Sequence, residues 1–169
     1  ASTVRGNLTA TATTGNMEDS GVLTITGTSS FTTSANNATI TLNNTNAFAG
    51  AVTITTNDDS GTDADVILNN GTTALILAAS TIDGDLTLTS GHASGITDSG
   101  TVTVGGNLVA TTNDNSGVIN LGTLAVDGTV ALATNSSGNA TVVNDAGLNF
   151  AASTVRGNLT ATATTGNME

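Results

Sequence analysis

Apolar and polar residues alternate in short runs along this chain: Val22-Leu-Thr-Ile-Thr26, Ala38-Thr-Ile-Thr-Leu42, Val52-Thr-Ile-Thr55, Leu86-Thr-Leu-Thr89 and Val102-Thr-Val104. Successive side chains of an extended strand point to opposite faces, so a period of two marks a strand with one face buried. The residues that fill it are largely β-branched, which suits a pleated surface. No stretch shows the three-and-four spacing of an amphipathic helix, and threonine-rich runs form helices poorly. The pattern predicts an all-β chain.

Repeats organise these strands. Residues 1–18, ASTVRGNLTATATTGNME, recur without a change as residues 152–169, so the period is 151 residues. The chain therefore divides into one full unit, residues 1–151, and the start of the next identical unit, residues 152–169. A boundary falling inside a repeat is expected of a window on a longer array. A finer motif, apolar-x-Gly-x-apolar, appears as Val4-Arg-Gly-Asn-Leu8, Phe48-Ala-Gly-Ala-Val52, Ile82-Asp-Gly-Asp-Leu86, Val104-Gly-Gly-Asn-Leu108 and Val126-Asp-Gly-Thr-Val130, and returns at Val155. Its steps are 44, 34, 22, 22 and 29 residues. Two steps of 22 and one of twice 22 predict a coil of about 22 residues, about seven coils per unit, and loops inserted in the longer steps. A second marker, Asp/Asn/Ser-Ser-Gly, recurs at Asp19, Asp59, Asp98, Asn115 and Ser136, where corners between strands are expected.

Short strands separated by Gly, Asn and Asp corners at this spacing predict a parallel β-solenoid (β-helix). One coil cannot bury its apolar face alone and must stack on its neighbours. Val4, Leu8, Val52, Ile82, Leu86, Val104, Leu108, Val126 and Val130 occupy the fixed apolar places of the motif and are expected to point inward as the structural core. A tandem immunoglobulin-like sandwich is the alternative fold; the scarcity of aromatics and the short sub-period count against it.

Composition fits the same picture. The chain has 36 Thr, 20 Asn, 20 Gly and 14 Ser among 169 residues, three Phe, and no Pro, Trp, Tyr, Lys, Gln or Cys. Threonine can face outward from a sheet, and Asn and Gly tolerate the left-handed corners. Proline would remove a ladder donor from a stacked coil. A mean hydropathy of +0.15 with 37% hydrophobic residues argues against disorder. With two Arg and a net charge of −11, a phosphate-binding surface is not expected, and nucleic acid is not expected as a partner. No apolar run approaches the roughly 20 residues that span a bilayer as a helix, so membrane insertion is not expected. Without cysteine there is no disulfide framework or thiolate metal site.

The runs Ile82-Asp-Gly-Asp-Leu-Thr-Leu-Thr89 and Gly95-Ile-Thr-Asp-Ser-Gly-Thr-Val-Thr-Val-Gly-Gly-Asn-Leu108 resemble filamentous-haemagglutinin-type repeats. Such repeats occur in large exoproteins of two-partner secretion and in autotransporter-like bacterial surface proteins. The resemblance extends over most of the chain through a degenerate pattern. It implies a right-handed β-helix, export to the bacterial cell surface, and a role in adhesion, biofilm or extracellular fibres. The lack of Lys and Gln and the identity of the long repeat depart from that family and favour a structural role over receptor binding.

Candidate chemistry is sparse. His92 is the single histidine, in the Gly-flanked segment Ser90-Gly-His-Ala-Ser-Gly95, near Ser94 and Asp98, but no nucleophile-elbow pattern surrounds these residues. Arg5 and its copy Arg156 lie beside Gly6 and Gly157 in the coil motif and read as surface or corner residues. No enzymatic activity is expected. Asp58, Asp59, Asp63 and Asp65 offer hard oxygen ligands suited to Ca²⁺, without the spacing of an EF-hand; an acidic solvated loop with no bound cofactor is the expected reading. The expected partner is the chain itself, through adjacent repeats or subunits stacked into a filament. Thr-x-Thr pairs at Thr9/Thr11, Thr24/Thr26, Thr39/Thr41, Thr53/Thr55, Thr87/Thr89 and Thr101/Thr103 raise the alternative of an adhesin segment binding ice, carbohydrate or host surfaces. One flat, unbroken threonine ladder would favour that alternative, whereas threonine scattered over several faces fits a scaffold.

Overall fold

A computed structural model describes residues 1–57, 59, 63–114 and 116–169. Among these residues there are twenty strands and no helix long and apolar enough to cross a membrane. Every strand pairing is parallel, and successive coils lay equivalent strands on top of one another. The first coil holds β1 (Ser2–Val4), β2 (Leu8–Ala12) and β3 (Met17–Glu18); the second holds β4 (Leu23–Ile25), β5 (Ser29–Thr33) and β6 (Ile40–Leu42). The third holds β7 (Ala47–Phe48), β8 (Val52–Thr55) and β9 (Val66–Asn69). The fourth and fifth hold β10 (Leu75–Leu77), β11 (Ser80–Ile82), β12 (Leu86–Ser90), β13 (Ile96–Asp98), β14 (Val102–Val104) and β15 (Leu108–Thr112). The sixth has β16 (Ile119–Val126) and β17 (Thr129–Ala133), the seventh β18 (Ala140–Asn144) and β19 (Asn149–Phe150), and the last β20 (Leu159–Ala163).

These coils build three sheets: a short one, β1-β4-β7; a ten-stranded one running from β2 to β20; and a seven-stranded one, β3-β6-β9-β12-β15-β17-β19. From β2 to β20 the ten-stranded sheet takes seven coil steps, through β5, β8, the pair β10/β11, the pair β13/β14, β16 and β18. The unit is thus a parallel β-solenoid of seven turns of about 22 residues.

Alternation places apolar columns behind the sheets. On the seven-stranded sheet Met17, Ile40, Val66, Leu86, Leu108, Val130 and Phe150 stand in one rank, and Leu42, Leu68, Leu88, Ala110 and Leu132 in the next. Val52, Ile82, Leu86, Val104, Leu108, Val126 and Val130 are buried. Val4 and Leu8 are half-buried, because the first coil is covered on one side only. Phe31 and Phe48 meet edge to face, ring centroids 5.5 Å apart, inside the second and third coils. Ser29 takes an apolar place between Leu8 and Val52 in its column, and its Oγ is buried with no hydrogen-bond partner among the described residues.

The glycine motif corrects one expectation. The 34- and 29-residue steps were expected to be coils lengthened by loops. Instead the motif marks two different corners. Gly6, Gly27 and Gly50 turn the chain from the short sheet into the ten-stranded one, whereas Gly84, Gly106 and Gly128 turn it from the ten-stranded into the seven-stranded one. Both corners require an inward side chain, a close backbone approach and another inward side chain, so both carry the same pattern. The longer steps are mainly jumps between corners, although the β8–β9 connection, residues 56–65, is also longer than its counterpart at residues 34–39. The 44-residue step resolves into two coils through Ile25-Thr-Gly-Thr-Ser29.

The glycines are required sterically. Gly106 N donates to Gly84 O at 3.0 Å, and a Cβ on Gly106 would sit 2.9 Å from both the carbonyl carbon and the oxygen of Gly84. Backbone atoms of a stacked coil cannot move aside alone. Gly106→Ala is therefore expected to destabilise the chain by roughly 1–3 kcal/mol, read as a lower midpoint in urea. A midpoint equal to that of the parent chain would contradict this packing.

Candidate functional site

Parallel strands bond alternately to the strand on either side, so each coil has two edges with different backbone groups. The repeated 18-residue segment displays both. In residues 1–18 the groups that meet the second coil include Leu8 N to Thr28 O (2.9 Å), Gly6 O from Gly27 N (3.0 Å), Ala12 O from Ser34 N (2.9 Å) and Met17 N to Thr39 O (2.9 Å). In residues 152–169 the groups that meet the seventh coil include Asn158 O from Ala140 N (2.9 Å), Gly157 N to Gly138 O (2.9 Å), Thr164 N to Asn144 O (2.9 Å) and Glu169 N to Leu148 O (3.0 Å). By sequence identity these are the positions of Asn7, Gly6, Thr13 and Glu18. None of these backbone atoms serves in both sets. The segment can therefore hold the coil before it and the coil after it at once.

The match carries a small offset. The rank that starts at Met17 arrives at Phe150, but Met168, the second copy of Met17, stands opposite Leu148, two residues back on the same path. An even offset keeps inward side chains inward.

Strand pairing lapses at the corners, and side chains take its place. The residue after the corner glycine is often Asn or Asp, and its Oδ1 accepts the backbone N–H of the equivalent residue one coil on. Asn7 accepts from Thr28 (2.9 Å), Asp85 from Asn107 (2.6 Å), Asn107 from Thr129 (2.9 Å) and Asn139 from Asn158 (2.8 Å). The Asp-Ser-Gly marker works in a similar way. Asp98 accepts from Gly122 N and Thr123 N (3.0 and 2.7 Å) and holds the bulge in β16, while Asp19 accepts from Asn43 N (3.1 Å) and from the side chains of Asn44 and Asn46 (3.0 and 2.7 Å).

Three buried asparagines, which the pattern of alternation did not single out, act as pieces of backbone. Asn70 Oδ1 accepts Phe48 N (2.7 Å) while its Nδ2 donates to Phe48 O (3.1 Å). Asn144 does the same for Val126, at 2.8 and 3.0 Å, and its Nδ2 also donates to Gly147 O (2.7 Å). Asn46 Oδ1 accepts Leu23 N at 2.8 Å. Each primary amide substitutes for one rung of the ladder where the next coil bends away.

The other candidates are placed apart from one another. His92 is exposed, with Nδ1 accepting Ser94 N at 3.0 Å; Ser90 is buried, and its Oγ donates to Thr73 O at 3.0 Å. Asp98 is engaged by the β16 bulge, so these residues form no relay. Arg5 and Arg156 are exposed. Of the four acidic-loop residues, Asp58 lies outside the described residues, Asp59 and Asp63 are exposed, and Asp65 uses Oδ1 to accept Asp85 N at 2.8 Å. Among the described residues no three His, Cys, Asp or Glu side chains are grouped to hold a metal ion. A groove of about 570 Å³, lined by Thr45, Asn69, Thr72, Asn113 and Asp114 among others, opens beside the end of the short sheet.

Threonine lies on both broad faces. One rank, Thr11-Thr32-Thr55-Thr81-Thr103, runs for five coils and stops at Ala125; its neighbour, Thr9-Ser30-Thr53, spans three. On the seven-stranded sheet the outward rank is mixed: Glu18, Thr41, Ile67, Thr87, Val109, Ala131.

The fold and these stacking edges define a tandem-repeat β-solenoid. Residues 1–55 and 63–121 match the model of the family described as Repeats of unknown function (DUF5649), and the chain belongs to that family. The two matched stretches are separated by residues 56–62, within the long β8–β9 connection. No curated protein and no solved structure matches the chain.

Two outcomes test this assignment of roles. Asn144→Asp keeps the shape but turns acceptor oxygens toward the carbonyls of Val126 and Gly147. Removing the donor from a buried site should cost about 1–3 kcal/mol or more, and the deficit should shrink as pH falls and the carboxyl regains a proton. A pH-independent deficit would argue against the amide's donor role. Chelation of Ca²⁺ is expected to leave the melting temperature unchanged; a shift that disappears in Asp59→Asn would instead establish an ion site in the acidic loop.

Proposed function

We propose that this chain is a structural repeat of an extracellular bacterial filament or giant surface protein, stacking end to end into a fibre or stalk without catalysis. The observation that carries the reading is the paired use of the 18-residue segment. Its backbone groups toward the preceding coil and toward the following coil are separate, so identical units continue one another without a break in the ladder. A terminal coil exposes unpaired donors and acceptors, which are templates for a further coil. The next copy of the segment supplies that coil.

The resemblance to filamentous-haemagglutinin-type repeats supports export to the cell surface and, at the finer level, two-partner secretion or an autotransporter-like route. The acidic surface, −11 over the chain, would keep neighbouring fibres apart at low salt. Binding of ice or another crystalline surface is the weaker reading, because the two-residue-wide hydroxyl array lasts only three coils. Adhesion through sugar stacking lacks Trp and Tyr to supply a platform.

Filaments sheared from cells that carry the protein provide the test. Seven coils at about 4.7–4.9 Å each predict an axial repeat near 34 Å, with strands stacked continuously across the boundary between residues 151 and 152. Helical reconstruction should recover that spacing. Closed globular units joined by flexible linkers would overturn the proposal.

A further inference from the structure

Of the three amides that replace rungs of the ladder, one precedes a glycine. Asn46 is followed by Ala47 and Asn144 by Asp145, whereas Asn70 is followed by Gly71, the single Asn-Gly pair of the sequence. The fold demands both members of that pair. Asn70 is fully buried, its Oδ1 accepting Phe48 N and its Nδ2 donating to the carbonyls of Phe48, Thr73 and Ala74 at 3.1, 3.3 and 2.8 Å. Gly71 has a φ of +52°, and a Cβ there would lie 2.8 Å from Asn46 O, so a side chain at this position is strained. An asparagine before glycine is chemically labile, because no Cβ hinders the glycine nitrogen from reaching the carboxamide. In the closed coil both reacting groups are engaged elsewhere. Gly71 N donates to Asn69 Oδ1 at 3.0 Å, and the Asn70 carboxamide is bonded to β7 and to the turn before β10. Gly71 O accepts from Gly91 N at 2.6 Å, so the following coil pins the backbone as well.

We propose that Asn70–Gly71 is a self-acting modification site, silent in the closed coil and switched on by its opening, whose product keeps the coil from closing again. The reaction needs water and no enzyme. Gly71 N bonds to Asn70 Cγ, the Cγ–Nδ2 bond breaks, and Nδ2 leaves as ammonia with the proton that Gly71 N gives up. Water then adds to either carbonyl of the resulting cyclic imide and opens the ring, leaving aspartate or an isoaspartyl link at position 70. Aspartate turns acceptor oxygens toward the carbonyls of Phe48, Thr73 and Ala74, a burial without compensation. The isoaspartyl link routes the backbone through Cβ, which adds one atom to the path between β9 and β10. Either product removes the rung that Asn70 supplies to β7. A coil that cannot close deprives its neighbours of a partner, so a transient opening becomes permanent.

Incubation of the full chain at mildly alkaline pH, in native buffer and in guanidinium chloride, tests this by peptide mass mapping. In denaturant Asn70 should gain the mass of an amide-to-acid exchange ahead of Asn46 and Asn144, whose successors carry a Cβ. In native buffer the same conversion should be slower by roughly a hundredfold or more, since only the opened fraction reacts. Chains converted in denaturant should fail to regain the parent's unfolding midpoint on return to buffer. Asn70→Asp, made directly, should show a lowered midpoint without any incubation, which separates the effect of the acid from damage elsewhere. Equal rates in the two media would overturn the protection. Conversion of Asn46 or Asn144 at the pace of Asn70 would refute the assignment to this pair. Converted chains, or Asn70→Asp, that unfold at the parent's midpoint would show that the product does not hold the coil open.

Discussion

A coil of this solenoid has no partner for its backbone except the coils above and below. That constraint governs nearly everything else in the molecule. Interior strands meet it by parallel pairing, and the chain carries no proline that would interrupt a rung. At the corners, where the chain turns and pairing lapses, glycine lets one carbonyl lie directly beneath the next N–H. The adjoining Asn or Asp side chain then supplies the acceptor that the backbone no longer offers.

The same constraint accounts for the polar residues inside. Asn46, Asn70 and Asn144 are almost fully buried, a costly placement for a primary amide unless its bonds are made. They occur where one coil changes shape relative to the next. At Asn70 the short sheet gives way to a corner, and the ten-stranded sheet divides into β10 and β11. At Asn144 the two halves have already merged through the bulged β16 into the five-residue β18. The cross-section thus departs from its initial form and comes back to it within one unit, and that return gives residues 152–169 a fitting seat.

Much of this was legible in the sequence. Alternation located the strands, the long repeat gave the period, and the 22-residue steps gave the number of coils, because all three reflect burial in a stacked structure. The glycine motif was legible as a recurring element of the coil but not as two different corners, since Gly6 and Gly84 answer the same local demand at different places around the coil. The second coil was harder to see because Ser29 interrupts the apolar pattern. The buried asparagines left no periodic trace: in a chain with 20 of them, nothing local distinguishes Asn144 from an asparagine in a solvated turn. The carboxylates of Asp19 and Asp98 were visible as corner markers, while their work of holding the following coil depends on contacts 24 and 25 residues away.

The two-residue offset between Met17 and Met168 has a geometric consequence for any succession of such units. A unit whose internal period does not quite close rotates its surface relative to the one before, as a heptad pattern does on an ideal helix. Each 151-residue step turns the pattern by two of the roughly 22 residues in a coil. The threonine rank, the acidic loop and the exposed Ile67 would then trace a shallow spiral. Whatever meets the flank of a long array would find every face in turn, and two arrays lying side by side could keep like patches aligned only by coiling around each other.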